Sequence, residues 1–108
     1  MDFNIINTFL FHPRKSYKEM DENDILIEVE DSIQVGVRLH LISQSAPTIL
    51  FFHGNGEIGS EYDELAQVYN QKHINFIISD YRGYGFSGGV PNVENIQSDA
   101  HIILDYVL

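Results

Sequence analysis

Cysteine is absent from this 108-residue chain, which removes disulfide scaffolds, thiolate zinc sites and cysteine nucleophiles together. The absence fits a reducing compartment, so a cytoplasmic location is expected. Basic residues are scarce as well: 6 Lys and Arg stand against 16 Asp and Glu, for a net charge of −10. Binding to nucleic acid replaces counterions with Lys and Arg, so nucleic acid is not an expected partner. An anionic membrane surface is disfavoured for the same reason, and solubility is the simplest reading of the charge. Long hydrophobic runs are missing. The N-terminal apolar stretch is interrupted by Asn4 and Asn7, and the basic residues Arg14, Lys15 and Lys18 follow it, so it does not read as a signal peptide. No run is long enough to span a bilayer.

What is present suits one small globular domain over residues 1–108, with an apolar fraction of 44%. Residues 1–24 form an N-terminal arm: an apolar helix or extended piece over 3–11, ended by Pro13, then a polar loop over 14–24. Over 25–42 the period is two. Ile25, Ile27 and Val29, then Ile33, Val35, Val37, Leu39 and Leu41, alternate with other residues around a turn at Asp31-Ser32, which predicts an antiparallel hairpin. Thr48–Phe52 (TILFF) is a continuous apolar run, the signature of a strand covered on both faces. The segment HGNGEIG follows. Ser60 with Asp63 three residues later reads as a capping-box helix start, and Tyr62, Leu65, Ala66 and Tyr69 share one helical face. Ile74–Ser79 is a second buried strand and Asp80–Gly89 a loop. After Pro91 a helix carries Val93, Ile96, Ala100, Ile103, Leu104 and Val107 on one side. Residues 48–108 are thus a β-α-β-α unit with a parallel sheet and right-handed crossovers.

Two loops attract chemistry. His53-Gly54-Asn55-Gly56-Glu57 follows a buried strand, where open α/β sheets place ligands. Its glycines allow a sharp turn that presents amides, as an oxyanion hole requires; a plain strand-to-helix turn explains the same residues. The second loop is Asp80-Tyr81-Arg82-Gly83-Tyr84-Gly85-Phe86-Ser87. Taken in order with the FHP near the N-terminus, the hairpin and the helix after Pro91, these motifs resemble the α/β-hydrolase superfamily, and within it the BEM46-like serine hydrolases. One departure is Asp31-Ser32, where that family commonly has Asp-Gly.

The resemblance implies the N-terminal portion of an α/β-hydrolase fold: an antiparallel hairpin leading into a parallel sheet with flanking helices. It implies a serine hydrolase acting on an acyl substrate, with no metal and no organic cofactor. Asn55 would donate one oxyanion N–H, with Gly56 beside it. His53, Gly54, Asp80, Arg82, Gly83 and Gly85 would hold the two loops. The nucleophile, acid and catalytic histidine of the family fall after the position matching residue 108, so the 108 residues by themselves are expected to be inactive.

Other patterns compete. Gly85-Phe86-Ser87-Gly88-Gly89 satisfies G-x-S-x-G, yet the nucleophile elbow needs a buried strand just before it; a polar, Gly-rich loop stands there, and Ser87 reads as a loop serine. Gly54, Gly56 and Gly59 satisfy the dinucleotide fingerprint G-x-G-x-x-G, with Asp80 where a ribose-binding acid would stand. Glu57, Glu61, Asp63 and Glu64 crowd the following helix start, where a pyrophosphate needs positive potential. His12, His40, His73 and His101 show no metal-ligand spacing. In the family's sheet a further strand lies beside 48–52. Without it that strand would be an apolar edge, through which a homo-oligomeric, non-catalytic module could associate.

Overall fold

Period-two alternation from Asp24 onward builds the first two strands, β1 (Asp24–Glu30) and β2 (Ile33–His40). The computed structural model describes residues 11–108, so the segment read as an apolar helix or arm over 3–11 lies almost wholly outside the described residues. β1 and β2 pair antiparallel, with Ile25 opposite Val37 and Ile27 opposite Val35, and a register shift between Glu28 and Glu30. Ser32 takes φ 65° in the connecting turn, a left-handed conformation that glycine adopts without penalty.

Next come β3 (Thr48–Phe52), a single 3₁₀ turn (Gly59–Tyr62), α1 (Asp63–Gln71), β4 (Asn75–Ser79) and α2 (Val93–Val107). The sheet order is β1-β2-β4-β3. β2 runs antiparallel to β4, and β3 runs parallel to β4 with Phe52 opposite Ser79. This is the mixed α/β-hydrolase sheet expected from the motifs, an antiparallel hairpin joined to a parallel pair.

Each face of the sheet carries a core because side chains alternate. Ile27, Val35, Val37 and Ile77 meet Ile103 of α2 on one side. Phe76 and Ile78 meet Ala66 of α1 on the other, with Phe51, Tyr62 and Tyr69 packed against them. Every residue of β4 is buried. β3 is only half-buried, unlike the strand covered on both faces read from its composition. The reason is its place at the end of the sheet, where it has one neighbouring strand among the described residues.

Three sequence expectations are corrected. Ser60 is not a helix cap. Ile58 occupies that position, its amide donating to Glu61 Oε1 at 3.1 Å, while the Ser60 Oγ has no hydrogen-bond partner among the described residues. Asp63, expected to complete the cap, is drawn instead to Arg38 Nε at 2.7 Å and lies 3.1 Å from His40 Nε2. Leu65, placed on the buried face of α1, is 41% exposed, and on α2 Val93 and Leu104 are exposed likewise. The buried stripe of α2 contains Asp99, a position that hydropathy assigns to solvent. No helix among the described residues is long and apolar enough to cross a membrane.

Candidate functional site

Because β3 and β4 are parallel and in register to their last residues, both chains leave the sheet at the same rim. That brings the turn over 53–57 beside the loop over 80–89, at the carboxyl ends of the strands where α/β sheets place ligands.

The two loops are cross-tied by buried polar groups. His53 Nε2 lies 2.6 Å from Asp80 Oδ1, and the His53 side chain is fully enclosed. His53 Nδ1 lies 2.9 Å from the Gly54 carbonyl oxygen. Asp80 Oδ1 also accepts the Gly59 amide at 2.9 Å, so one carboxylate fixes both ends of the HGNGEIG segment. A Cβ at Gly85, which has φ 59°, would overlap the Asp80 carboxylate, so only glycine fits there. Within the turn, Glu57 Oε1 accepts the Gly54 amide and, at 2.6 Å, the Tyr62 hydroxyl. Burial first, and the Glu57 carboxylate second, push the Tyr62 phenol up to about 12.

Two tyrosines of the second loop reach across to the first. The Tyr81 hydroxyl donates to the His53 carbonyl at 2.6 Å. The Tyr84 hydroxyl donates to Asn55 Oδ1 at 2.6 Å and accepts the His12 amide at 2.9 Å. Burial raises that phenol above its ordinary value. Desolvation likewise raises Tyr81.

Residues 12–16 form a strap along these loops. The Gly85 amide donates to the Arg14 carbonyl at 2.8 Å, and the Ser16 amide to the Gly85 carbonyl at 3.1 Å. The Arg14 guanidinium reaches Glu61 at 2.7 Å, holding that carboxyl below its ordinary value. Lys15 Nζ donates to the Ser87 carbonyl at 2.8 Å. The base of the second loop is pinned to α2, with Arg82 Nε 2.7 Å and Nη2 2.9 Å from the two oxygens of buried Asp99. Asp99 raises the Arg82 guanidinium above its ordinary value. Gly83 stands at φ 82°, its ideal Cβ pressed between Pro13 and Pro91.

Within the turn over 53–57, Gly54 and Asn55 are open to solvent. A hollow of about 250 Å³ opens beside Asn55, lined by Phe11, Tyr81, Tyr84 and Ile96. A larger one of about 570 Å³ lies at the opposite rim among Ile25, Leu41, Thr48 and Tyr106, away from every group described above. Ser87 is 2% exposed, and its Oγ accepts the Gly36 amide at 2.8 Å. A serine so enclosed does not present its hydroxyl as a nucleophile elbow must. Among the described residues no group of three or more His, Asp or Glu side chains is arranged to hold a metal ion.

Gly54, Gly56 and Gly59 do not form a pyrophosphate cradle. The amides of Gly54, Ile58 and Gly59 face the carboxylates of Glu57, Glu61 and Asp80. An incoming phosphate would have to displace anions that this chain itself supplies.

The roles of Tyr81, Tyr84 and Asp99, and of the strap over 12–16, were not read from the sequence. The tyrosines stand in an irregular loop, where no periodicity tells which way a side chain points. Asp99 carried a detectable signal: it breaks an otherwise apolar helix face, and a buried carboxylate needs a partner.

Residues 43–108 match the model of the family described as serine aminopeptidase, S33. The protein bem46 of Schizosaccharomyces pombe is 31% identical over 93 residues, which is 82% of this chain and 31% of that protein. The α/β-hydrolase domain-containing protein WAV2 of Arabidopsis thaliana is 34% identical over 91 residues, 78% of this chain and 28% of WAV2. The lysophosphatidylserine lipase ABHD12 of Bos taurus is 35% identical over 68 residues, 61% of this chain and 17% of the lipase. The chain thus spans a third or less of the length of these relatives.

Proposed function

Since the chain belongs to the S33 α/β-hydrolase family, we propose that it forms the N-terminal part of a serine hydrolase that cleaves an ester, thioester or amide through an acyl-enzyme. The observation that carries this reading is the in-register parallel pair β3–β4, which sets the Asn55 turn at the rim of the sheet. Acyl transfer builds negative charge on the substrate's carbonyl oxygen, and a fixed backbone amide at that point stabilises the charge without reorganising. We assign one such donor to the Asn55 amide, with Gly56 beside it, because Asn55 stands at the position that matches the family's motif. His53 and Asp80 hold the donor through the loop backbone. The nucleophile, its histidine and the second donor belong to segments that follow residue 108 in the family, and the relatives' greater length supports that reading. An ester is the favoured bond, on the strength of the relative named as a lysophosphatidylserine lipase. A fluorophosphonate probe should label the hydrolase that carries this segment; failure to label would overturn the reading.

A second reading, a self-associating hydrolase-like module without catalysis, is favoured by the end position of β3. Thr48–Phe52 has a partner strand on one side only among the described residues, and an apolar edge of this kind invites a second chain. Light scattering over a concentration series tests it. A mass that rises with concentration supports association, and a constant monomer mass rejects it.

A further inference from the structure

Asn55 and Gly56 make the one Asn-Gly pair in the sequence; the asparagines at 4, 7, 23, 70, 75, 92 and 95 are followed by Ile, Thr, Asp, Gln, Phe, Val and Ile. A backbone nitrogen can attack the side-chain carbonyl of the residue before it, and a side chain on the attacking residue hinders the approach. Glycine has none. Gly56 stands at φ 81° with nothing within 4 Å of its ideal Cβ, so its surroundings do not hinder the approach either. Asn55 is exposed, whereas the other described asparagines are buried or half-buried.

Two donors meet the Asn55 side-chain oxygen. The Tyr84 hydroxyl donates to Oδ1 at 2.6 Å and the His12 amide at 3.0 Å. The Tyr84 ring is fully buried, so its hydroxyl is held in place from the core. Both donors point at the atom on which negative charge collects when a nucleophile adds to the Asn55 Cγ. Fixed donors stabilise charge that develops in front of them, and a hydrogen bond to a charged oxygen is stronger than one to a neutral oxygen.

We propose that Asn55 is a self-modifying site: the Gly56 nitrogen cyclises onto its side chain and converts it to aspartate or isoaspartate, with Tyr84 and His12 stabilising the charge of the intermediate. The conversion needs water alone. The Gly56 N–H gives its proton to solvent, and the nitrogen bonds to Asn55 Cγ while the carbonyl π pair moves onto Oδ1. When that pair returns, the Cγ–Nδ2 bond breaks and the side-chain nitrogen leaves as ammonia, taking a proton from solvent. Water then opens the cyclic imide. Cleavage at Cγ gives aspartate. Cleavage at the main-chain carbonyl of residue 55 gives isoaspartate, whose backbone runs through the former side chain and is longer by a methylene. Either product carries a carboxylate in the residue whose amide the proposed function directs at a negative oxygen, and isoaspartate also re-routes the turn. Conversion therefore switches the hydrolase off with age. This consequence rests on the proposed function, whereas the conversion itself does not.

Peptide mass spectrometry reads the conversion on the protein aged in mildly alkaline buffer at physiological temperature, both folded and unfolded in urea. In the folded protein Asn55 should convert before every other asparagine and yield both products. An Asn55 that stays intact in the folded protein while the unfolded chain converts it would mean that the fold shields the pair, and would overturn the proposal. This comparison needs no variant. Tyr84→Phe keeps the ring and removes one donor, so conversion in the folded variant should slow about fivefold. A folded Tyr84→Phe that converts as fast as the wild type, or faster, overturns the role given to the hydroxyl. In the hydrolase that carries this segment, ester turnover should fall in step with conversion, and Asn55→Ala, which cannot cyclise, should keep its own starting rate through the same treatment. Full conversion with undiminished turnover overturns the switch. A fresh wild type without turnover or probe labelling would sink the proposed function, and the mass measurement would still decide the modification.

Discussion

At the scale of single residues, two positions hold a backbone conformation that their side chains resist. Ser32 turns the β1–β2 hairpin at φ 65°, and His73 follows α1 at φ 62°. The His73 amide bonds to the Asn70 carbonyl and the Ile74 amide to the Tyr69 carbonyl, both at 3.0 Å, the Schellman pattern that favours glycine at this position. Left-handed backbone costs a residue with a Cβ about 1–2 kcal/mol, and glycine returns part of that gain through its freer unfolded state. Ser32→Gly and His73→Gly should each stabilise by about 0.5–1 kcal/mol in urea denaturation. Asp99 is the opposite case. Its carboxylate is 6% exposed and is bonded to Arg82, whose side chain is 7% exposed. Asp99→Ala leaves a buried guanidinium with the more distant Glu30, 3.6 Å away, as its remaining carboxylate among the described residues, and should destabilise by about 3 kcal/mol in the same assay. The residues that turn the chain, Gly83 and Gly85, were legible in the sequence because few residues but glycine suit tight positive-φ turns. The partners Tyr81 and Tyr84 were not, since the contacts that define them join residues 28 to 72 positions apart, and Asp99 showed only as a break in the apolar face of α2.

At the scale of elements, alternation and apolar runs located every strand, and helical spacing located both helices, because these periods follow from local backbone geometry. The start of α1 was misread for a tertiary reason. Asp63 was assigned to the cap on local pattern, but Arg38 on β2 lies against it and competes successfully. Arg38 also reaches Asp21 at 2.8 Å and Asp24 at 3.0 Å, clamping the approach to β1, strand β2 and helix α1 around one nearly buried guanidinium. The 3₁₀ turn carries a pH signature. Tyr62 retains its proton up to about 12 in the folded protein against an ordinary 10.0. A raised folded value means that the contribution is complete below pH 10 and is lost as pH rises toward 12. Urea midpoints should therefore fall across that interval, and Tyr62→Phe should flatten the fall. A variant that declines as steeply as the wild type would place the alkaline transition elsewhere.

At the scale of the whole molecule, the sheet supplies two cores, and both candidate loops leave it at the rim where β3 and β4 end. In the order β1-β2-β4-β3, helix α1 carries the chain from β3 back to a parallel β4. That much the alternation of strands and helices made readable. The end position of β3 is a property of the assembled sheet, and local sequence records only that the strand is apolar. In the proposed function, the Asn55 backbone amide donates to a developing oxyanion. The most direct measurement is kcat for ester hydrolysis by Asn55→Pro and Asn55→Ala variants of the hydrolase that carries this segment. Alanine keeps the N–H and proline deletes it. Removing one oxyanion donor costs about 10²–10³ in kcat, so the account predicts that the proline variant is slower than the alanine variant by about that factor while both retain the melting profile of the fold. Equal turnover in the two variants would contradict it.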